Sequence, residues 1–432
     1  MRVLHVVHQY MPDHTAGTEL HTRIVAQKQA EKGHKVAVFT PVNRSGEFTA
    51  EPAVEDGVHV YRVPAGARGP SAVFRSTFYH PSLAAAFAVV LAREQPDVVH
   101  LQHLMGLPAA IGAQIIQAGL PYVITLHDYW FGCANGQLLT NDTEMICAGP
   151  DVHFYNCGRC AVARAGLTTA AGLMSLPVAP IMRRRNALLR PIFEGAARIM
   201  IPNEFVRRVF ADMGFSTESM VLIPLGLDAP PELAAQVAGR RAERATGGLR
   251  LGYLGSLSRQ KGVHVLIAAM NGLPLEDVTL DIYGDPTVFP HYAAELHAQA
   301  QHPGIRFHGL ISRERLWDAL ADLDVLTMPT LWYEASPYTI REAFVAGLPV
   351  IASDIGAPGS MIRHGVDGLL FPPGDVAALR ETILSLLRRP ERVSELRAGI
   401  APVYTLDEHV IEVERIYAEA LTGGLPPDTS RF

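Results

Sequence analysis

The sequence predicts an α/β protein with two doubly wound domains, because buried strands and helices alternate in two successive series along the chain. Apolar runs such as Val3–Val7 and Val36–Thr40 are separated by helical segments, as parallel βα units require. The alternation restarts at Leu251–Gly255, after a polar stretch rich in Arg and Gly, Pro230–Gly248, which we interpret as a linker. The length of 432 residues is also too great for one ordinary core.

The domain boundaries follow from where this alternation stops and restarts. We predict a Rossmann-like domain over residues 1–226, with a Cys-rich insertion at about residues 133–195, and a second such domain over residues 227–405. A helix with an apolar stripe is predicted for residues 406–424. Doubly wound domains bind ligands where their strands end, so functional residues are expected directly after strands, in a cleft between the two domains.

Composition and charge exclude several classes of protein. Apolar residues make up 48% and charged residues 19%, which is typical of a folded globular chain. A net charge of −6 and a pI near 6.3 argue against a nucleic-acid binder. The apolar run at the amino terminus is too short for a signal peptide, and the uncharged stretch Ala165–Met182 is broken by Gly and Pro. We therefore expect a cytoplasmic protein.

The most informative segment contains two glutamates around a predicted helix start. Ser336 and Pro337 have the chemistry of an N-cap and a first helical residue, and Gly347 is suited to end the helix. Glu334 would then precede the helix and Glu342 would lie in its second turn. Either glutamate alone could be a solvated surface charge. Their apolar and aromatic neighbours favour a functional pair, because a buried carboxylate without a partner is costly. The helix N-terminus is suited to phosphate oxygens.

A basic loop follows the first strand of the second predicted domain. The segment Gly255–Gly262 carries Arg259 and Lys261 before the next helix. A departing phosphate group needs positive charge that stays fixed, and these side chains can supply it. Basic loop residues usually face solvent, so the hypothesis depends on their position after the strand.

Three residues of the first domain also follow predicted strands. His127 and Asp128 end a buried strand, where they could reach a ligand, although a histidine there can equally serve only to cap the strand. Asp128 could orient His127. Gly17 opens the first long helix, where it would let backbone approach a phosphate closely. The chain has no Gly-x-Gly-x-x-Gly fingerprint, which argues against a nicotinamide dehydrogenase.

The cysteines and a basic helix make the insertion unusual. The cysteine spacing is Cys133-x13-Cys147-x9-Cys157-x2-Cys160, which favours one structural metal centre, with zinc as the first choice and an iron–sulfur cluster as the alternative. Four reduced thiols or two disulfides remain open. The segment Ile181–Arg190 mixes basic and apolar residues, as solvated helices commonly do, and also permits peripheral contact with the inner face of a membrane.

The two-glutamate segment resembles glycosyltransferase family 4, a retaining family with the two-Rossmann-domain architecture called GT-B. The family hallmark is Glu, seven residues, Glu, then Ala-x-x-x-Gly-x-Pro-Val-Ile, and Glu334–Ile351 supplies each of these residues. The basic loop resembles Gly-Arg-Leu-x-x-x-Lys-Gly, with Lys261 matching the lysine and Ser256 replacing the arginine, so Arg259 is expected to take part of that role. The family's Phe-Gly after the first Glu is replaced by Ser336–Tyr338, which alters the donor loop.

The resemblance implies a role for each matching residue. Glu334 would contact the donor hexose, Glu342 would bind the ribose hydroxyls, and His127 would lie beside the reactive carbon of the donor. Backbone at residues 336–339 would hold the diphosphate, and the C-terminal helix would return to the first domain. The implied catalytic set is Glu334, His127 and Asp128, and the donor-binding set is Gly17, Ser256, Arg259, Lys261, Ser336, Pro337, Tyr338, Thr339 and Glu342.

The reaction implied by the resemblance is transfer of a hexosyl unit from a UDP- or GDP-sugar to an acceptor hydroxyl, with retention of configuration. Cell-envelope glycans and secondary-metabolite glycosides are the expected products. We identify no Asp-x-Asp metal motif, and therefore expect catalysis without a divalent ion. The alternatives are a nucleotide-sugar epimerase or phosphorylase on this scaffold, and a two-domain sugar- or nucleotide-binding protein without catalysis. The last would not need paired carboxylates beside a phosphate-binding helix.

Overall fold

A computed structural model of the protein describes residues 1–14, 16–167, 171–242 and 248–423. The chain divides into two compact units. The first domain contains residues Met1–Gly226 together with the C-terminal helix from Leu406, and the second domain contains Leu227–Thr405. Each domain is a sheet of parallel strands, with one antiparallel edge strand in the first domain, and helices cover the sheets. This is the GT-B class of fold that the sequence predicts.

The first domain is built on an eight-stranded sheet, counted over the described residues. Its strands are β1 (Arg2–Val6), β2 (Lys35–Val42), β3 (Ala53–Glu55), β4 (Val58–Pro64), β5 (Val98–Leu101), β6 (Tyr122–Thr125), β7 (Arg198–Ile201) and β8 (Met220–Leu222). Their order across the sheet is β3-β4-β2-β1-β5-β6-β7-β8, and only the edge pair β3–β4 is antiparallel. Every residue of the short strands β5, β6 and β7 is buried, including the polar His100, Thr125 and Arg198, because helices cover both faces of the sheet.

The helices of the first domain connect these strands and complete the insertion. They are α1 (Gly17–Glu31), α2 (Pro70–Ser76), α3 (Pro81–Glu94), α4 (Ala110–Gln117), α5 (Tyr155–Arg164), α6 (Ala171–Glu194), α7 (Glu204–Asp212) and, at the end of the chain, α16 (Leu406–Thr422). The predicted Asn203 cap is present, since its side-chain oxygen accepts a hydrogen bond from the Val206 N–H at 3.1 Å. Helix α16 packs on the first sheet, where Ile416 and Tyr417 join a core with Val3 and Val98. The predicted return of this helix is thus confirmed.

The second domain has a six-stranded parallel sheet within the described residues. Its strands are β9 (Leu249–Leu254), β10 (Val278–Tyr283), β11 (Ile305–Gly309), β12 (Val325–Met328), β13 (Val350–Ser353) and β14 (Gly368–Phe371). Its helices are α8 (Leu233–Ala242), α9 (Val263–Met270), α10 (Pro290–Gln299), α11 (Arg313–Ala321), α12 (Tyr338–Val345), α13 (Gly356–Met361), α14 (Val376–Arg388) and α15 (Glu391–Ala398). The strand order is β11-β10-β9-β12-β13-β14. Successive strands are added towards one edge up to β11 and towards the other edge from β12 on, and such sheets bind ligands at the switch point between β9 and β12.

One sequence interpretation needs correction. The stretch interpreted as a linker, Pro230–Gly248, contains helix α8, whose Leu233 and Val237 pack with Ala321 in the second domain. Residues 243–247 of that stretch lie outside the described residues. In the insertion, one 24-residue helix, α6, contains Pro177, Pro180 and Pro191. Proline and glycine mark helix breaks in many sequences, but tertiary packing overrides these local preferences here.

Candidate active site

The switch point of the second sheet brings the basic loop and the first glutamate together. The basic loop follows β9, and the loop that carries Glu334 follows β12, the strand beside it. The two loops are joined by backbone, since the Leu331 N–H donates to the Gln260 carbonyl at 2.8 Å. Gly262 permits this approach, because it has φ +71° and a Cβ there would lie 1.8 Å from the Pro329 carbonyl oxygen.

Lys261 and Glu334 form an ion pair in this arrangement. The Lys261 Nζ lies 2.6 Å from Glu334 Oε1, and the indole N–H of Trp332 donates to the same oxygen at 2.7 Å. Glu334 is only 7% exposed, so its charge depends on these donors. The pair places a cation and a carboxylate in contact at the carboxyl edge of the sheet.

The second glutamate lies one helix further along the chain. Glu342 is in the second turn of α12, is 3% exposed, and forms an ion pair with Arg313 at the start of α11. Arg313 is half exposed, so the buried Glu342 carboxylate is paired with a side chain that itself contacts solvent. A buried carboxylate behind an exposed arginine is suited to accept hydrogen bonds from ligand hydroxyls.

The start of α12 differs from the sequence prediction by one or two residues. Pro337 precedes the helix and is the N-cap residue, and no side chain caps it. The Ser336 hydroxyl, expected as the cap, instead accepts a hydrogen bond from Arg341 at 2.9 Å. Arg341 is buried, which lowers its pKa to about 10. The buried Tyr338 hydroxyl has no hydrogen-bond partner and burial raises its pKa. The first turn at residues 338–340 therefore keeps its backbone donors free of a side-chain cap.

The other residues of the predicted phosphate loop take two different positions. Ser256 lies beside Ser258, with 3.2 Å between their hydroxyl oxygens. Arg259 turns to α10, where it forms an exposed ion pair with Glu295 at 2.7 Å and lies over the Tyr292 ring. The structure thus brings Lys261 to Glu334 but does not bring the Arg259 guanidinium to them, and a phosphate role for Arg259 stays a prediction.

In the first domain, His127 belongs to a buried hydrogen-bond network. Its Nε2 donates to the side-chain oxygen Oε1 of Gln102 at 2.7 Å, while the side-chain Nε2 of Gln102 donates to Nδ1 of His5 and of His100 at 3.2 Å each. These partners assign the proton of His127 to Nε2. Burial lowers its pKa to about 3. His127 is therefore a neutral group that can donate or accept a hydrogen bond without carrying charge.

Asp128 has a different partner from the one expected. Its Oδ2 accepts a hydrogen bond from His103 at 3.1 Å and its Oδ1 accepts the Trp130 N–H at 2.8 Å, so the expectation that it orients His127 is wrong. His103 in turn stacks on His8, with ring centroids 4.2 Å apart. His8 Nε2 lies 3.7 Å from the buried Glu19 carboxylate. The loops after β1, β5 and β6 thus contribute a second polar cluster at the switch point of the first sheet.

Gly17 is the first residue of α1, and Ala16 before it is extended with no side-chain cap. The N-terminus of α1 therefore follows the loop after β1, as predicted from sequence. The neighbouring Thr15 lies outside the described residues.

The four cysteines are all free thiols, so the disulfide alternative is absent from this structure. All four line one cavity in the first domain. The Cys160 sulfur accepts hydrogen bonds from Asn141, and the Cys133 thiol donates to Asn135 at 2.8 Å. Among the described residues, no group of three or more His, Cys, Asp or Glu side chains is arranged to hold a metal ion. The arrangement does not fit the predicted metal centre, which stays a prediction.

One Asp-x-Asp sequence does occur, Asp322-Leu-Asp324, but it precedes β12. It therefore lies at the opposite edge of the sheet from Glu334. Asp322 pairs with Arg240 and Asp324 accepts the Arg250 N–H at 3.0 Å. Neither carboxylate belongs to the candidate site.

Sequence reasoning missed the partners of the predicted residues. Glu342 is paired with Arg313 and Glu334 with Trp332. His127 is hydrogen-bonded to Gln102 and Asp128 to His103. Each partner lies 2 to 29 residues away along the chain. Two signals could have found some of them: Gln102 and His103 directly follow β5, and Arg313 follows β11 at a helix start.

The fold is that of GT-B glycosyltransferases, and the family matches of the chain identify it as a glycosyltransferase that uses a sugar-nucleotide donor. The chain belongs to glycosyltransferase family 4: residues 248–389 match the family model "Glycosyl transferases group 1", and residues 16–226 match "Glycosyl transferase 4-like domain". Together these matches span most of both domains.

Two curated relatives that match the chain are a mannosyltransferase and a glycogen synthase. The chain is 33% identical to a phosphatidyl-myo-inositol mannosyltransferase of Mycobacterium leprae over 174 residues, which cover 38% of this chain and only 45% of that relative. It is 25% identical to a glycogen synthase of Mycobacterium tuberculosis over 405 residues, which cover 90% of this chain and 87% of the relative.

Solved structures show the same fold. Sucrose-phosphate synthase from Thermosynechococcus elongatus aligns with a TM-score of 0.72 at 17% identity, over 98% of this chain and 99% of that chain. Anabaena HepE in complex with UDP and glucose aligns with a TM-score of 0.64 at 19% identity, over 98% and 100% of the two chains. Among the described residues of our chain, no helix has the length and apolar character needed to cross a membrane.

Proposed function

We propose that this protein is a retaining hexosyltransferase that takes a UDP- or GDP-sugar as donor and a hydroxyl group as acceptor. The observation that carries the proposal is the Lys261–Glu334 ion pair at the switch point of the second sheet, with buried Glu342 following on the next helix. The family membership of the chain supports the same assignment. Retention, the base of the donor and the hexose are parts of this proposal.

The reaction transfers C1 of the hexose from one oxygen to another. The bond between C1 and the diphosphate oxygen breaks, and its electron pair leaves with the nucleoside diphosphate. The acceptor oxygen bonds to C1 from the same face, and its proton ends on the diphosphate. In our proposal Lys261 neutralises the charge that builds up on the leaving group, and Arg259 can swing from Glu295 to assist it.

The donor would be bound by the residues around α12. When the donor binds, the Glu342 carboxylate releases Arg313 and accepts hydrogen bonds from the ribose hydroxyls. The diphosphate binds to the backbone at the start of α12, at Ser336, Pro337, Tyr338 and Thr339, where no side chain caps the helix. Glu334 accepts hydrogen bonds from the hexose while Trp332 keeps its carboxylate in place. Ser256 and Gly17 are the remaining donor-binding residues of this proposal.

The first domain would contribute neutral and acidic groups to the sugar. A neutral His127 does not repel the positive charge that develops on the sugar ring, since burial keeps it unprotonated. Asp128, held by His103, accepts a hydrogen bond from a hydroxyl group. We propose that these residues act without a divalent ion, because Lys261 supplies the positive charge. Cell-envelope glycans and secondary-metabolite glycosides are the proposed product classes.

Peripheral membrane contact is a further part of the proposal. Helix α6 exposes Leu173, Leu176 and Ile181, with side chains 46–85% exposed, and the exposed Arg183 and Arg184 follow on the same helix. An apolar surface with adjacent arginines is typical of helices that lie on anionic membranes. Co-sedimentation with phosphatidylglycerol vesicles, lost in a Leu173→Ser/Leu176→Ser variant, tests this contact.

A nucleotide-sugar panel tests the proposed function directly. UDP- and GDP-sugars are added singly to the purified protein, and the melting temperature is measured. We expect one nucleotide base to stabilise the protein strongly, and the matching sugar to be consumed when acceptors are supplied. Stabilisation by none of these donors would refute the proposal.

A further inference from the structure

One cavity of the first domain has an unusual lining. Its volume is about 460 Å³, within the range of small-molecule binding sites. Apolar side chains dominate the walls, with Val73 and Phe74 from α2, Trp130 and Leu138 from the loops after β6, and Met182 from α6. A wall of this kind binds an apolar or aromatic body rather than a bare sugar.

The charged residues of the same lining are all arginines. Arg68, Arg75, Arg164 and Arg185 line the cavity, whereas no Asp, Glu or Lys is found among the described residues that line it. This one-sided charge is notable in a chain whose net charge is −6. Within the described part of the chain, none of the four arginines forms an ion pair with a carboxylate. The cavity is therefore complementary to an anion.

Arg185 provides an independent sign of an anionic ligand. It is 1% exposed, lies over the Trp130 ring at 4.5 Å, and donates to the backbone carbonyls of Trp130 and Phe131. Its Nε is buried without a hydrogen-bond partner. Burying a guanidinium that forms no ion pair is costly, and the charge of the nearby Asp128 carboxylate offsets the effect of burial on the Arg185 pKa only in part, so a further group of opposite charge is expected nearby. Burial lowers its pKa only to about 10, and Arg185 remains a cation at neutral pH.

The half-buried Arg68 extends this positive lining from another side. Its guanidinium donates to the Gly106 carbonyl at 2.6 Å and to the Asn43 side chain at 3.3 Å. These two neutral partners fix its orientation but leave its charge uncompensated. Arg75 and Arg164 are exposed on α2 and α5, where they can meet a ligand as it enters. The apolar walls thus lie among four arginines.

One end of the cavity adjoins the polar cluster of the first domain. His8 and Trp130 line the cavity, and the His103 ring lies against both, with centroids at 4.2 and 5.5 Å. His103 holds Asp128 at 3.1 Å. A ligand in the cavity would therefore present its nearest hydroxyl to the same groups that we assign to the sugar-transfer site.

We propose that this cavity is the acceptor site, and that the acceptor is an amphiphile with an apolar or aromatic body, an anionic phosphate or carboxylate, and a reactive hydroxyl. The anion is bound by Arg68 and Arg185 and the apolar body by the walls from α2 and α6. The hydroxyl lies at the Asp128 end. This inference rests on the proposed glycosyltransferase function and specifies the substrate class of its acceptor.

Three probes separate the parts of this proposal by isothermal titration of the full chain. Octyl phosphate has both the apolar octyl group and the anion, octyl glucoside has only the octyl group, and inorganic phosphate has only the anion. We expect one octyl phosphate per chain, bound at least about tenfold more tightly than either control, because both charge and apolar contacts contribute. Equal binding of octyl phosphate and octyl glucoside, or of octyl phosphate and inorganic phosphate, would overturn the proposal.

Arginine variants test the residues. Arg68→Gln/Arg164→Gln should lose at least about tenfold in octyl phosphate affinity, since a charge-assisted hydrogen bond is removed. Arg208→Gln, an exposed arginine on α7 outside the lining, is the matched control and should bind as the wild type does. Unchanged affinity in the double variant would overturn the assignment. Arg185→Met is avoided as the main test because the buried side chain also supports the fold.

Competition identifies the source of the acceptor. Displacement of octyl phosphate by phosphatidylglycerol vesicles supports a lipid acceptor, and displacement by naphthyl phosphate alone supports a soluble one. Equal displacement by phosphatidylcholine vesicles would show an apolar site and overturn the anionic requirement. Nucleotide-sugar binding is titrated separately on the same samples. Retained donor binding without octyl phosphate binding would reject this acceptor site while leaving the proposed function in place.

Discussion

The Nζ atom of Lys261 lies 2.6 Å from Oε1 of Glu334, across the switch point of the second sheet. The two residues are far apart in sequence and meet because β9 and β12 are neighbours. In the proposed reaction this contact is broken when a donor binds, since the lysine turns to the diphosphate and the carboxylate to the hexose. The ion pair therefore keeps both charges in place before the donor arrives.

Replacement of Lys261 tests the leaving-group role. Lys261→Ala should lower kcat by about 10²-fold or more, because one charge-stabilising group is lost in the transition state. Arg259→Ala, which removes a half-exposed side chain paired with Glu295, should have a much smaller effect. Steady-state kinetics on variants with unchanged melting temperatures measure both. A fully active Lys261→Ala enzyme would show that the diphosphate is held elsewhere.

Replacement of Glu342 tests the ribose site. Glu342→Ala should weaken nucleotide-sugar binding by about tenfold or more, because a charged acceptor of hydroxyl hydrogen bonds is removed. The fold should survive, since its partner Arg313 is half exposed and can return to water. Calorimetric titration with the preferred donor measures the affinity, and Arg388→Gln on α14 serves as a control variant. Unchanged affinity in a folded Glu342→Ala protein would remove the ribose assignment.

The main features of this second domain could be predicted from its sequence. Apolar strands, the glycine-bounded loop and the two-glutamate segment are local patterns, and the fold class they predict is confirmed. The N-cap at Ser336 was misplaced, because Arg341 engages the hydroxyl from within the helix and no local signal reveals this. The Arg313 partner of Glu342 lies on another helix, so only the folded chain shows it.

The first domain was less accessible to sequence reasoning because its key contacts are distant along the chain. Nε2 of His21 lies 2.9 Å from Nε2 of His409, although the two residues are 388 positions apart in the sequence. Tyr417, on the C-terminal helix, hydrogen-bonds to His100 at 2.6 Å. Periodicity identifies α16 as a helix but does not show which histidines it contacts. The acceptor cavity likewise arises from several separate segments.

Buried histidines predict a fall in stability at acidic pH. Burial lowers the pKa of His5 to about 4, whereas the unfolded chain titrates near the ordinary value of 6.5. Between these values the unfolded state binds a proton that the fold does not, so stability is fully present above about pH 6.5 and is lost as the pH falls to about 4. The loss is roughly 3 kcal/mol for this one imidazole.

Urea unfolding at about pH 7.5, 6.5, 5.5 and 4.5 measures this dependence. His5→Gln should reduce the pH dependence of the unfolding free energy, even if it lowers the free energy at neutral pH. His153→Gln, which replaces an exposed histidine, is the control and should keep the wild-type slope. If the unfolding free energy of His5→Gln depended on pH as it does in the wild type, the loss of stability at acidic pH would not come from His5.

The cysteine spacing predicts one structural metal centre, although the described side chains are not arranged to hold one. Elemental analysis of purified protein should find about one zinc, or several irons with sulfide, per chain. A Cys157→Ser variant should then keep donor binding in the second domain while losing transfer to acceptor. Metal-free protein in which all four thiols titrate would refute this prediction.

The anomeric configuration of the first product tests the central claim most directly. The preferred donor, an α-linked UDP- or GDP-sugar, is incubated with a high concentration of enzyme and without acceptor, so that water takes the hexose slowly. Proton NMR is recorded before the released sugar can mutarotate. Retaining transfer predicts that the α-anomer of the free hexose appears first and that Lys261→Ala releases it far more slowly. Initial release of the β-anomer, or no release under any donor that binds, would contradict the account.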